Sequence, residues 1–206
     1  MKEQDLYEEL NSIKSIMERS TKFISLSGLS GVLAGIYALI GAYLAYDIIY
    51  NQLGNEMWSP ILWLTDEASL CLILIAITVL IASLVSGFFL SNRRSKKLGQ
   101  SFWNAGSRRL FGNLAVPLLT GGLLLLVLIY HGNYQFIAPI CLIFYGLALV
   151  SGSQFTYSDV KYLGYLEIVL GLLCALMPGN GLVFWAIGFG VLHILYGSIM
   201  HLKYKQ

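Results

Sequence analysis

The sequence predicts an all-α polytopic membrane protein with six transmembrane helices, built largely from helical hairpins, with both termini in the cytoplasm. Of its 206 residues, 57% are hydrophobic and only 12% are charged, whereas soluble domains carry about 25% charged residues. A mean hydropathy of +0.70 excludes a soluble enzyme, a disordered chain and a disulfide-stapled secreted domain. The third observation is the uneven distribution of Lys and Arg along the chain.

Six segments are apolar enough, and long enough, to cross ~30 Å of hydrocarbon, which takes ~20 helical residues. They are residues 23–46, 68–90, 113–130, 135–153, 160–177 and 182–202. The mostly polar segment before the first span lacks a small-residue cleavage site, so we expect a retained anchor rather than a signal peptide. Because the spans leave little room for a soluble domain, residues 1–206 are predicted to form a single membrane domain.

The basic residues predict the orientation. In the six-span topology all 13 Lys and Arg residues fall on one side of the membrane. The opposite side carries only acids, namely Asp47, Glu56, Asp66 and Glu67. Since cytoplasmic loops are enriched in Lys and Arg, both termini are predicted to be cytoplasmic, and in a bacterium the membrane would be the inner membrane.

Two segments outside the spans are predicted to lie at the cytoplasmic face. Residues 5–19 show helical apolar spacing, which predicts an amphipathic helix that packs on a partner or on the bundle. The loop 92–111 combines an apolar stripe with basic residues and no acid, which predicts an interfacial helix that contacts anionic lipids. Its basic residues are Arg93, Arg94, Lys96, Lys97, Arg108 and Arg109. This basic area is too small to favour nucleic-acid binding.

Small residues in the first span follow a four-residue spacing, as Ser27-x-x-x-Gly31-x-x-x-Gly35. Such a stripe lets another helix backbone approach closely. One interpretation is a homodimer seam, and the other is close packing within the bundle. The second is favoured, because a bundle this small needs closely packed helices in any case.

The C-terminal half is predicted to form two helical hairpins with similar turns, His131-Gly132-Asn133 and Pro178-Gly179-Asn180-Gly181. Two Gly-rich helices joined by a Pro-Gly turn resemble the hairpin unit of the HdeD-like acid-resistance membrane proteins, over residues 160–202 and more loosely over 113–153. The resemblance implies six spans and a stress-response setting, and it transfers no catalytic residue. The whole chain also resembles short bacterial six-helix membrane proteins.

Glu167 is the one acidic residue deep inside a predicted span. It follows Asp159 by eight residues, or ~12 Å along a helix, and an ionisable group at that depth must be neutral, paired or hydrated. Its helical neighbours Gly164 and Gly171 indicate a face that packs on protein. The corresponding face of the last span contains Gly190, His193, Gly197 and His201.

Glu167 and His193 each lie 13 residues from Asn180 in the intervening turn. Antiparallel spans five and six should therefore bring the two side chains to the same depth, and the same count places Asp159 opposite His201 near the cytoplasmic surface. We interpret the Glu167–His193 pair either as a structural hydrogen bond or as a relay for protons or substrate.

The predicted function is that of a non-enzymatic membrane protein of the transport-like or stress-response type, organised around Glu167 and His193. The alternative is a membrane scaffold or regulatory subunit that binds a partner through residues 5–19 and the basic loop. No metal-ligand spacing, cofactor motif or catalytic constellation is visible, although two histidines in one span leave haem ligation as an alternative. The Gly-x-Ser-Gly string at residues 28–31, similar to that of rhomboid proteases, lies on the wrong span for such an enzyme.

Overall fold

The computed structural model of the protein describes residues 23, 27–53, 66–99 and 101–204. This part of the chain is helical and contains no strand. The predicted amphipathic helix at residues 5–19 lies outside the described residues, so it stays a prediction.

The described chain contains six long helices. They are α1 (Gly28–Leu53), α2 (Asp66–Lys97), α3 (Ala105–Tyr130), α4 (Ile137–Gly152), α5 (Val160–Leu176) and α6 (Gly181–Lys203). Short 3-10 turns, Tyr134–Phe136 and Ser153–Phe155, flank α4. The last helix is interrupted by a π-helical segment, Ala186–Leu192, between its two α-helical parts.

Within the described ranges, five helices are long and apolar enough to cross a membrane. They cover Gly28–Ile49, Glu67–Lys97, Ala105–Tyr130, Tyr134–Phe155 and Gly181–Lys203. The predicted fifth span is also a helix at its predicted place, but the 17 residues of α5 extend only ~26 Å. The structure therefore confirms that the described part of the chain is helical, with five candidate spans.

The outward faces of α2 and α3 are covered with large apolar side chains. Leu84, Phe89 and Leu119 are 63%, 64% and 66% exposed. Soluble monomers rarely expose apolar patches of this extent, and lipid is a solvent in which such faces are stable. The exposed faces thus fit a membrane protein.

The first and last helices pack on each other in antiparallel directions. Near the start of α1, Gly28 lies against Gly197 and His201, and two turns further along, Gly35 lies against Gly190. The start of α1 and the end of α6 therefore meet at the same end of the bundle. The consecutive pairs α1–α2, α3–α4 and α4–α5 also pack extensively.

The small residues of the first span lie inside the molecule. Gly31 lies against Gly197, and Gly35 lies against Gly190 and Ile194 of α6. These contacts confirm close packing within the bundle. The alternative, a homodimer seam on this face, is wrong because α6 already covers it.

The glycines of α5 do not face the glycines of α6, contrary to prediction. Gly164 lies against Gly146 and Val150, and Gly171 lies against Ile143, so both pack on α4. Helix α5 consequently contacts α4 far more than it contacts α6. The last hairpin is tied together by its turn and by a few side chains rather than by a glycine interface.

The basic residues of the described chain gather at one end of the bundle, which we call the basic end. Arg93, Arg94, Lys96 and Lys97 belong to the last turns of α2, and Arg108 and Arg109 to the first turns of α3. The prediction of a separate interfacial helix over residues 92–111 is therefore wrong.

Residues 92–111 do not form one helix because the chain breaks between α2 and α3. Gly99 adopts a left-handed conformation (φ +66°) just after α2, and Asn104 begins α3 through a capping box with Ser107. Phe102, an apolar residue of this loop, packs edge-on against Phe23 and Phe88.

We expect opposite effects from two Gly-to-Ala substitutions. A Cβ at Gly197 would lie 2.6 Å from the backbone nitrogen of Val32, whereas a Cβ at Gly122 would meet no heavy atom within 4 Å. Gly197→Ala should destabilise the protein by about 1–3 kcal/mol because α1 and α6 must separate. Gly122→Ala should stabilise α3 by about 0.5–1 kcal/mol. Thermal unfolding in detergent checks both, and equal melting temperatures for the two variants would contradict this packing.

Candidate functional site

Glu167 occupies the interior of the junction of α4, α5 and α6. Its side chain has no exposed surface. Gly164 and Gly171 of α5 pack on α4. The side chain of Glu167 extends toward α6, where Gly188 leaves space for its carboxyl. A Cβ at Gly188 would lie 2.6 Å from Oε2 of Glu167 and would also collide with Leu142. The missing side chain of Gly188 is therefore what lets the carboxyl reach α6.

His193 is the residue that meets the carboxyl. Its Nδ1 lies 3.5 Å from Oε1 of Glu167 and 3.0 Å from the carbonyl oxygen of Gly188. Its Nε2 lies 2.7 Å from the hydroxyl of Tyr145 on α4. One imidazole thus joins all three helices of the junction.

The π-helical segment of α6 places this imidazole. Gly188 lies within the segment, and His193 begins the α-helix that comes after it. A π-helix has i→i+5 spacing rather than i→i+4, and such segments are frequent at functional sites. Gly188 precedes His193 by five residues, so the i→i+5 spacing places the carbonyl of Gly188 at the height of the His193 side chain.

The hydrogen bonds assign the protons of His193. A carbonyl oxygen only accepts, so Nδ1 carries a hydrogen and donates it to Gly188. In the neutral imidazole, Nε2 then accepts from the hydroxyl of Tyr145; in the imidazolium, Nε2–H donates to the same hydroxyl oxygen. The surroundings of His193 therefore accommodate both of its protonation states without rearrangement.

The carboxyl of Glu167 is less well satisfied. Neither oxygen has a hydrogen-bond partner among the described residues, and both oxygens are buried. A lone buried charge is costly, so the favoured form of the pair is the one with no net charge. That form is either a protonated Glu167 beside a neutral His193 or a carboxylate beside an imidazolium.

A second polar network lies at the basic end. Asp159 accepts hydrogen bonds from Lys203 at 2.5 Å and from the hydroxyl of Tyr204 at 3.0 Å. The Lys203 ammonium lowers the pKa of Asp159, so this carboxyl is held ionised. The rings of Tyr204 and Tyr157 are in tilted contact, with their centroids 4.1 Å apart.

This network corrects two predictions. Asp159 pairs with Lys203 and Tyr204 and not with His201, whose Nδ1 is buried without a partner among the described residues. The predicted register is wrong by only two residues, and the long Lys203 side chain reaches the carboxylate. Arg94, predicted to contact lipid, donates instead to the hydroxyl of Tyr157 at 3.0 Å. The other five basic residues of the predicted lipid-binding set are exposed.

Sequence reasoning missed Tyr145 and Gly188. Tyr145 stands in the middle of α4, away from both membrane interfaces, where tyrosines are otherwise concentrated. Because a hydroxyl at that depth needs a hydrogen-bond partner, the position of Tyr145 in the sequence could have identified it as part of a polar cluster. Gly188 gave no such signal, because nothing in the sequence marks the π-helical segment.

Among the described residues, no three His, Cys, Asp or Glu side chains lie close enough together to hold a metal ion. Both ring nitrogens of His193 are engaged within the protein, so iron ligation would require breaking a hydrogen bond. The cluster brings together three groups that can each gain and lose a proton, namely a carboxyl, an imidazole and a phenol.

No protein-family model matches the chain, and neither a curated protein nor a solved structure gives a significant match. The resemblance to the HdeD-like proteins and to bacterial six-helix proteins therefore stays a prediction. The function of the chain must accordingly be inferred from the geometry of the Glu167–His193 cluster.

We expect Tyr145→Phe to destabilise the protein, because it removes the hydroxyl that meets Nε2 of His193. A buried nitrogen left without its partner costs about 1–3 kcal/mol. The matched control is Tyr165→Phe on α5, whose side chain is 50% exposed and should tolerate the change. Thermal unfolding in detergent compares the two variants, and equal melting temperatures would show that the Tyr145–His193 contact has no energetic weight.

Proposed function

We propose that the protein is a six-span membrane protein of the transport type whose translocated or coupled ion is the proton. The observation that carries the proposal is the carboxyl of Glu167, which is fully buried and lies 3.5 Å from the imidazole of His193. Ionisable residues inside spans are rare because they are costly, and they commonly mark proton or substrate pathways. His193 and Tyr145 supply groups that exchange protons with this carboxyl.

The depth of the cluster supports transport over a purely structural tie. Glu167 lies eight residues beyond Asp159, or ~12 Å from the basic end along α5. A structural tie could be made by neutral hydrogen-bonding groups at lower cost. Proton handling also agrees with the acid-stress setting that the HdeD-like resemblance implies.

The proposed topology has six spans with both termini in the cytoplasm. The meeting of the start of α1 with the end of α6 supports an even number of crossings. The concentration of Arg and Lys at that end supports its cytoplasmic location. We further propose that the exposed basic residues contact anionic headgroups there, at about 1 kcal/mol each. They are Arg93, Lys96, Lys97, Arg108 and Arg109.

Cysteine labelling tests this topology. Ser101 lies between α2 and α3 at the basic end, and Asn133 lies between α3 and α4 at the opposite end; both residues are exposed. In intact cells a membrane-impermeant thiol reagent should label Asn133→Cys but should reach Ser101→Cys only after permeabilisation. External labelling of Ser101→Cys would reverse the orientation, and external labelling of both would overturn the span count. The unsubstituted protein controls for Cys71, Cys141 and Cys174.

Proton flux in reconstituted vesicles tests the function. We would measure internal pH with an enclosed dye while a valinomycin-induced potassium diffusion potential drives protons inward. Wild-type protein should acidify the lumen well above protein-free vesicles, and Glu167→Gln should reduce the rate at least tenfold, because the amide keeps the shape but loses the titratable proton. The matched control is Glu67→Gln, which changes an exposed carboxyl at the start of α2 and should leave the flux unchanged.

Two results would contradict the proposal. Wild-type vesicles that acidify no faster than protein-free vesicles would favour the alternative of a scaffold or regulatory subunit. Undiminished flux in Glu167→Gln would show that the pair is structural and that protons cross elsewhere.

A further inference from the structure

The buried cluster and the network at the basic end are separated by a stretch of α6 that carries one more ionisable side chain. Tyr196 comes three residues after His193 and seven residues before Lys203. Steps of three and seven residues return to the same face of a helix. His193, Tyr196 and Lys203 therefore form a line along α6 that runs from the buried cluster to the basic end.

The hydroxyl of Tyr196 is buried and has no hydrogen-bond partner among the described residues. Most buried hydroxyls in proteins are bonded to protein or to ordered water, so an unpartnered one needs an explanation. A hydroxyl is also a group that donates one proton while it accepts another. Its burial places this capacity inside the bundle rather than at the lipid surface.

Tyr196 lies between the two networks along α6. On one side His193 is three residues away, or ~4.5 Å along the helix axis, and its Nε2 contacts the hydroxyl of Tyr145. On the other side Lys203 is seven residues away, or ~10 Å along the axis, and it donates to Asp159.

We propose that the hydroxyl of Tyr196, joined to each side by bridging water, relays protons between Tyr145 and the Asp159 network. In each transfer the oxygen accepts a proton from one side and releases its own proton to the other, so the phenol is unchanged at the end. The Asp159 side exchanges protons with the aqueous phase at the basic end, and the Tyr145 side exchanges them with His193 and Glu167. This inference rests on the proposed proton-transport function and assigns that function its path to the basic end.

Phenylalanine and histidine at position 196 test the relay by the same measurement of proton flux in vesicles. Tyr196→Phe removes only the hydroxyl and should lower the flux at least tenfold. Tyr196→His restores a group that both accepts and donates a proton, and it should recover much of the lost rate. Tyr165→Phe makes the same change on an exposed tyrosine of α5 and should retain the wild-type rate. Gel filtration and melting temperature confirm that each variant is folded.

The outcomes separate the two proposals. Wild-type flux that persists unchanged in Tyr196→Phe overturns the relay and leaves the proton-transport function standing. Flux lost equally in folded Tyr196→Phe and folded Tyr196→His also overturns it, because a proton-carrying group should then have rescued the rate. Absence of flux in the wild-type vesicles overturns the transport function, and the relay with it.

Discussion

The burial of one carboxyl is the constraint on which the rest of this structure depends. Glu167 has no exposed surface, and a buried charge without a partner is among the most costly features that a fold can contain. Three features of the chain offset this cost. Gly188 gives the carboxyl space, His193 places an imidazole nitrogen 3.5 Å from it, and Tyr145 binds the far side of the imidazole. Gly188 and His193 both belong to α6, so the carboxyl joins α5 to a helix with which it otherwise makes few contacts.

The glycines divide the bundle into two closely packed groups around this junction. One interface joins α1 to α6 through Gly31, Gly35 and Gly197, and the other joins α4 to α5 through Gly146 and Gly164. Because α5 and α6 contact each other so little, the boundary between the groups depends on contacts between α4 and α6. These contacts are both apolar, as between Tyr145 and Phe189, and polar, as between Tyr145 and His193.

Hydropathy predicted the helical character of the described chain and the places of its long apolar helices, because lipid imposes a simple requirement on every span. The Glu167–His193 pairing was predicted from equal distances to Asn180, since a short turn fixes the register of antiparallel helices. Hydropathy does not determine which helices pack against each other. Gly164 and Gly171 were assigned to α6 because it is the next helix in sequence, but close approach depends on the shape of the whole bundle. The π-helical segment around Gly188 could not be predicted, because no local sequence pattern marks it. It forms only together with the packing of α6 on its neighbours.

The central claim is that Glu167 gains and loses a proton inside the bundle, and infrared spectroscopy of the protein in lipid vesicles tests it most directly. A protonated carboxyl has a carbonyl stretch distinct from that of a carboxylate. If Glu167 titrates, one such band should decrease as the pH rises and should be missing from Glu167→Gln at every pH. A spectrum in which no band of the wild type both changes with pH and disappears in Glu167→Gln would contradict the claim.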